Sequence, residues 1–239
     1  MALDQALLDL ADVEGRGFLR LYRWTPPCLS FGRNEPALRR YDRDALEQQG
    51  LDAVRRPTGG RAVWHADELT YAVAAPSAAF GTPAESYRAI HQLLAEAVRT
   101  LGAPARIASA PARSTALDAG ACFASPAGGE VMVGDHKVVG SAQLRQRTAL
   151  LQHGSLLLSG SQAVVTGLTR GQPPPDQSAP LGGLLGRPVS FAEAADAILR
   201  HTHTWGAAWE VTEETPPDAA AAAERHGARF RSPEWTWRR

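Results

Sequence analysis

Lysine is almost missing from this chain. Of its 25 basic residues 24 are arginines, and the one lysine is Lys137. Arginine therefore serves for surface charge and ion pairs, and a position that keeps a compact ammonium, able to shift its pKa on burial, asks for something guanidinium does not supply. The plain alternative is a GC-rich genome that drains lysine and leaves one by chance. Net charge is missing as well: 25 acidic residues offset the 25 basic ones, so no field gathers nucleic acid or an anionic membrane. Cysteine is scarce. Cys28 and Cys122 lie 94 residues apart, which excludes a disulfide framework and a zinc motif, so no metal is expected. No apolar run is long enough to cross a bilayer, and MALDQALLDLAD has acids where an export signal has basic residues. A reducing cytoplasm is the expected compartment, where a thiol stays free to react.

With 239 residues the chain has room for a substantial core, in one large domain or one domain with a small appendage. The leucines at 3, 7, 8 and 10 predict a short amphipathic helix over residues 3–12. Residues 18–24 alternate as a strand, Thr25-Pro-Pro turns the chain, and residues 28–32 are expected as the partner strand. Residues 42–49 predict a helix closed by Gly50, and residues 68–75 another strand. The strongest helix signal runs from Pro83 to Leu101: Thr82 and Glu85 form a capping box, Gly102 ends it, and Tyr87, Ile90, Leu94, Ala97, Val98 and Leu101 make the buried stripe. Residues 103–120 read as a long loop over a site. Residues 130–139 read as a hairpin about Gly134-Asp135, and 149–158 as a strand. A Pro/Gly-rich linker over 170–188 leads to a helix from Ser190 to about Trp205 and another over 217–225. The domain expectation is a catalytic unit, 1–170, with a linker and C-terminal helical extension, 171–239, packed on it.

Two stretches carry residues suited to chemistry. Ala121 to Gly154 holds Cys122, Lys137 fifteen residues on, and His153 sixteen beyond that. Residues 55–65, RRPTGGRAVWH, combine paired glycines with Arg56 and His65. Glycines let a ligand approach the backbone and free its N–H groups to point at it, although an ordinary tight turn uses the same residues. A lone histidine such as His153 is more often a bonded core residue than a shuttle, and Arg56 alone reads equally as a surface arginine. Cys28, in a strand-like run, reads as core filler, and Trp235 and Trp237 as packing anchors.

The motifs RRPTGGRAVWH, ELTYAV, KVVGSAQLR and LLQHGSLLL occur in an order that resembles the biotin/lipoate protein ligase and lipoyl transferase family. MALDQALL, LYRWTPPCLSFGRNEP and SPEWTWR extend the match over most of the chain. The resemblance implies an α/β (α+β) fold: a mixed, largely antiparallel sheet with flanking helices, like class II aminoacyl-tRNA synthetases and biotin synthetase. It implies one of two chemistries. Ligases activate lipoate with ATP and usually carry a further C-terminal domain, whereas octanoyltransferases hold the acyl group as a thioester on cysteine. ACFASP, with the KVVGSAQ lysine fifteen residues on, resembles the cysteine-dependent octanoyltransferase branch, and the short chain agrees. Cys122 and Lys137 are then the catalytic pair, an ammonium favouring the thiolate. Arg56, Thr58, Gly59, Gly60, His65, Gly140, Ser141, Ala142, His153 and Gly154 are carried over as substrate-binding residues. A proton-shuttle role is open to His65 and His153, and backbone N–H groups near Gly140 and Gly59-Gly60 suit an oxyanion.

The implied donor is octanoyl acyl carrier protein and the acceptor a lysine of a lipoyl domain or of glycine cleavage H protein. No cofactor is expected, ATP and Mg entering only with the ligase alternative, and the expected protein is a monomer. A lipoyl or octanoyl amidotransferase would use the same thioester. A non-catalytic carrier-binding protein is disfavoured by retention of Cys122 and Lys137. Two departures stand out. The family has a strand before the MALDQALL helix, so either the start lies late or the sheet lacks an edge strand. The residue after His65 is Ala66 rather than aspartate, and Arg61 replaces a third glycine, which weakens a nucleotide-binding reading.

Overall fold

A computed structural model describes residues 1–109, 129–173, 176 and 178–238. The leucine-rich start winds into α1 (Ala2–Glu14), ended by Gly15 in the left-handed conformation, φ 71°, where its N–H reaches the Ala11 carbonyl. Strands β1 (Phe18–Tyr22) and β2 (Cys28–Phe31) precede two short helices, α2 (Ala37–Arg40) and α3 (Arg43–Gln48). The Asp42 carboxylate caps α3 by accepting from the Ala45 amide at 3.1 Å. Then come β3 (Asp52–Arg55), β4 (Val63–His65), β5 (Glu68–Pro76) and α4 (Pro83–Thr100). Both halves of the Thr82–Glu85 capping box form. The hairpin of β7 (Val131–Val133) and β8 (His136–Lys137) is extended by β6 (Ala105–Ile107), and β9 (Val139–Gln146) turns back into β10 (Ala149–Leu157). Helices α5 (Ala163–Leu168), α6 (Leu181–Leu185), α7 (Phe191–Arg200), α8 (Pro217–Arg231) and α9 (Pro233–Thr236) complete the order.

The strands are mixed and largely antiparallel, as expected, but they divide into three sheets with orders β1-β5-β10-β9, β3-β2-β4 and β6-β7-β8. Only β2 and β3 run parallel among these pairs. This corrects the expected pairing of β1 with β2. Leu19, Leu21 and Phe18 pack with the long β5 instead, which β1 pairs over its full length, Phe18↔Ala74 to Tyr22↔Thr70. Thr25 to Pro27 therefore carries the chain from one sheet to another rather than closing a hairpin. Other boundaries also shift. Part of the expected 103–120 loop is β6, part of the 170–188 linker is α6, the 190–205 helix ends at Arg200 before a 3-10 turn, and α8 runs six residues past Arg225.

Alternation along β5 and β10 sends successive side chains to opposite faces. Leu69, Tyr71, Val73, Leu150 and Leu156 pack on Ile90, Leu94 and Val98 of α4 and on Ala194 and Ile198 of α7. Ala72, Ala74 and Leu151 face Leu7, Leu8 and Ala11 of α1, with Ala219 of α8 behind. The four-stranded sheet is thus covered by helices on both faces. Phe31 of the second sheet takes the Trp237 ring edge-on at 5.1 Å, so the aromatic tail anchors there as expected. Arg55, fully buried, ties that anchor down. Its guanidinium donates to the carbonyls of Gly32, Glu35, Trp235 and Arg238, at 2.6, 2.8, 2.9 and 3.0 Å. Among the described residues no helix is long and apolar enough to cross a membrane.

Candidate functional site

A pocket of about 380 Å³ opens where β9 and β10 meet β4 and the loop before it. Of the residues expected to bind substrate, Arg56, Gly60, His65, Gly140, Ser141, Ala142, His153 and Gly154 line it. Gly154 and Gly60 are there for space. A Cβ on Gly154 would stand 2.3 Å from the Gly140 carbonyl oxygen, and Gly60 sits at φ +89° with the Arg56 guanidinium 3.2 Å from where its Cβ would be. Thr58 lies behind the wall, and Gly59 contributes a carbonyl that accepts from Arg56 Nη2 at 3.1 Å. Nothing crowds a Cβ on Gly59, so of the glycine pair only Gly60 is required. Arg56 is not a surface arginine. It is 5% exposed, and it donates to the carbonyls of Ser30 at 2.9 Å and Arg61 at 2.7 Å, holding the loop in shape.

Two carboxylate–histidine–hydroxyl chains build the polar wall. His153 Nδ1 donates to Asp4 Oδ2 at 3.1 Å, and its Nε2 accepts from the Thr58 hydroxyl at 2.6 Å. Burial pulls the His153 imidazole below its ordinary value, against the raising pull of Asp4. Asp4 is itself buried and bonded by Arg20 at 2.8 Å and the Tyr22 hydroxyl at 3.1 Å. In the second chain His65 Nδ1 meets Glu68 at 2.5 Å and Nε2 meets the Ser30 hydroxyl at 2.6 Å. Arg56 only donates, so Ser30 Oγ accepts from it at 2.6 Å and turns its own proton to His65. Glu68 also accepts from the hydroxyls of Thr70 and Ser155. The Trp24 ring stacks on His65 at 4.5 Å and its indole N–H is bonded to Thr70 at 2.9 Å. Both ring nitrogens of each histidine are thus engaged by protein groups, and the two rings act as fixed walls.

A third histidine, His91 of α4, stands behind Ser141. Its Nδ1 donates to the Gly129 carbonyl at 2.5 Å, and its Nε2 accepts from Ser141 Oγ at 2.8 Å. The Tyr71 hydroxyl completes Ser141 at 2.6 Å. Burial draws the His91 imidazole down to about 4; the Gly129 bond opposes this and the Lys137 charge adds to it. A buried neutral histidine stabilises the fold fully above its unfolded value near 6.5, and that contribution is lost as pH falls from there through about 4. The loss amounts to roughly 3 kcal/mol once both forms are protonated, and His153 adds in the same direction. Urea unfolding midpoints between about pH 7.5 and about pH 4 should therefore fall more steeply in the wild type than in His91→Gln. Equal slopes would mean that protonation of His91 does not destabilise the fold over this range.

Lys137 follows the hairpin turn and is 4% exposed at its side chain, with Nζ 2.5 Å from Glu130 Oε1. Its expected partner Cys122 lies outside the described residues. Cys28, read as filler, is buried in β2, and burial, with Asp52 nearby, pushes its thiol up to about 12. It stays a thiol at neutral pH. Sequence reasoning missed Asp4, Tyr22, Trp24, Glu68, Thr70, His91 and Ser155 as parts of the site. For Asp4 a signal existed: with Leu8 and Ala11 it falls on the buried stripe of α1, where an unpaired acid does not belong. His91 falls likewise on the stripe of α4.

Residues 1–203 match the family described as the lipoyl protein ligase A/B catalytic domain. Over its whole length the chain is 37% identical to "Octanoyltransferase LipM" of Kyrpidia tusciae, covering 94% of that protein. It is 36% identical to the protein of the same name from Symbiobacterium thermophilum, covering all of this chain and 93% of the other. Among solved structures, a lipoate-protein ligase A bound with ATP superposes with a TM-score of 0.83 at 20% identity, over 99% of this chain and 92% of that one. A bipartite lipoate protein ligase from Thermoplasma acidophilum, studied with its E2 lipoyl domain, gives 0.77 at 20% identity, over 99% and 89%.

Proposed function

The chain belongs to the lipoyl protein ligase A/B catalytic-domain family, and from that membership we propose that it is an octanoyltransferase of protein lipoylation. The observation that carries the reading is the full-length identity of 33–37% to octanoyltransferases. The fold alone is shared with an ATP-bound ligase and does not choose between the two chemistries. The donor is octanoyl acyl carrier protein and the acceptor a lysine of a lipoyl domain or H protein, met in the cytoplasm. Residues 1–170 do the chemistry, with 171–239 as a helical extension braced on them.

The Cys122 thiolate attacks the octanoyl thioester carbonyl, the bond from that carbon to the pantetheine sulfur breaks, the pantetheine leaves as a thiolate, and the acyl group rests on Sγ. A neutral lysine amine of the acceptor attacks next, the amide forms, and Cys122 leaves as thiolate while the amine gives up a proton. The first step exchanges one thioester for another and the second runs downhill to an amide, so neither consumes ATP. Lys137 is the buried ammonium that favours the thiolate. The pocket supports the reading because an acyl chain needs apolar walls with a few fixed polar groups. Met1, Tyr22, Trp24 and Val63 supply the first, and the two histidine chains the second.

Intact-protein mass after mixing with octanoyl acyl carrier protein, without ATP, tests it. The wild type should gain a hydroxylamine-labile octanoyl group and Cys122→Ser should not. Acylation of a lipoyl domain only when ATP and free lipoate are supplied would sink the transferase and leave a ligase.

A further inference from the structure

Two arginines at the C-terminal tail stack on one indole, and the charge of a third, Arg33, is felt there. Arg229 of α8 stands 3.8 Å over the Trp235 ring and Arg238 4.5 Å from the same ring. Arg238 Nη2 also donates to the backbone carbonyl of Arg33, whose charge acts on Arg229. Among the described residues none of the three is in an ion pair with a carboxylate. The repulsion is felt: burial and then the charges of Arg33 and Arg238 lower the Arg229 pKa, while the opposing acid, Asp9, does not cancel them. In a chain of zero net charge this is a local excess. A guanidinium laid on an aromatic face keeps its N–H edge for an oxyanion, and two of these with a third positive charge nearby suit carboxylates or a phosphodiester.

The cluster adjoins the pocket. The Arg33 amide donates to the Thr58 carbonyl at 2.7 Å. Its neighbour Gly32 lies so near Gly60 that a Cβ there would meet the Gly60 oxygen at 1.8 Å. Gly60 in turn lines the pocket. Arg33 itself is exposed.

We propose that Arg229 and Arg238 on Trp235, together with the exposed Arg33, form the docking surface for the acidic acyl carrier that delivers the octanoyl thioester. The proposal rests on the acyl-transfer reading above. Chemistry selects the donor over the acceptor: the donor arrives with an acidic surface and a phosphodiester in its pantetheine arm. The acceptor leads with a lysine ammonium, which three guanidinium groups repel.

Arg33→Glu/Arg229→Glu, its lysine counterpart Arg33→Lys/Arg229→Lys and the wild type should be compared with two donors, octanoyl acyl carrier protein and octanoyl-pantetheine, which lacks both protein and phosphate. In the glutamate variant KM for the carrier should rise about tenfold or more with kcat kept, while octanoyl-pantetheine changes by less than about twofold. The lysine variant should fall between. Wild-type KM for the carrier should climb with salt, and that for octanoyl-pantetheine should not; this arm stands even if the glutamate variant does not fold. Equal losses with both donors, no loss with either, or a change confined to KM for the lipoyl domain would overturn the docking assignment. Wild-type protein that transfers from neither donor would instead overturn acyl transfer itself.

Discussion

Lys137→Met should lose acyl transfer altogether and, at the same time, about 3–5 kcal/mol of stability. The stability loss comes from Glu130. Its carboxylate is 5% exposed and faces the lysine at 2.5 Å, so removing the ammonium leaves an acid in a dry place beside β7. The loss of transfer would have a separate source, the proposed role of the ammonium in favouring the Cys122 thiolate. Lys137→Met/Glu130→Leu divides the two effects. Replacing a buried ion pair by apolar side chains of similar size is often close to neutral, so the double variant should regain most of the urea midpoint and none of the activity. If it transfers octanoate at the wild-type rate, Lys137 has no part in the transfer.

Gly154→Ala should be nearly as damaging for a single methyl group. Gly154 sits inside β10, paired with Tyr71 on one side and Ser141 on the other. Its Cβ would meet the Gly140 oxygen at 2.3 Å, Ser141 Oγ at 2.6 Å and Tyr71 Cε1 at 2.8 Å. Ser141 has another rotamer, but the Gly140 carbonyl is backbone of the paired strand β9 and moves only if the ladder opens. Overpacking of this kind costs about 1–3 kcal/mol where neighbours yield, and more where they are main chain. The methyl also fills the pocket, so kcat/KM should fall at least about a hundredfold, the equivalent of roughly 2.7 kcal/mol. Gly59→Ala is the control: its Cβ meets nothing within 4 Å, and it should match the wild type in melting temperature and rate. A Gly154→Ala protein with normal kinetics would mean that the cavity beside β10 is not where the acyl chain lies.

Local physics was legible in the sequence, and long-range pairing was not. The capping box fixed the start of α4 and the glycine–aspartate turn fixed the β7–β8 hairpin, because both depend on residues within a few positions of each other. The partner of β1 is about fifty residues away in β5, and nothing in the intervening sequence competes visibly with the nearer β2. The ordered motifs located the pocket because they are its walls. They did not disclose what stands behind the walls. Asp4 looked like one more acid between the leucines of an amphipathic helix, and its partner His153 lies 149 residues further along the chain. Glu68 looked like the polar first residue of a strand, although it accepts bonds from His65, Thr70 and Ser155.

Those bonds span great lengths of chain. Asp4 and His153 are 149 residues apart, Thr58 and His153 are 95, and Glu68 and Ser155 are 87. Contacts of this sequence separation form late and slowly, because each must first close a long loop. The pocket is therefore indivisible. α4 and the β7–β8 hairpin alone do not enclose the cavity, which is complete only with the finished sheet. A ligand held there acts on the whole native state, so occupancy protects α1, β4, β5 and β10 against unfolding as one unit rather than as separate parts.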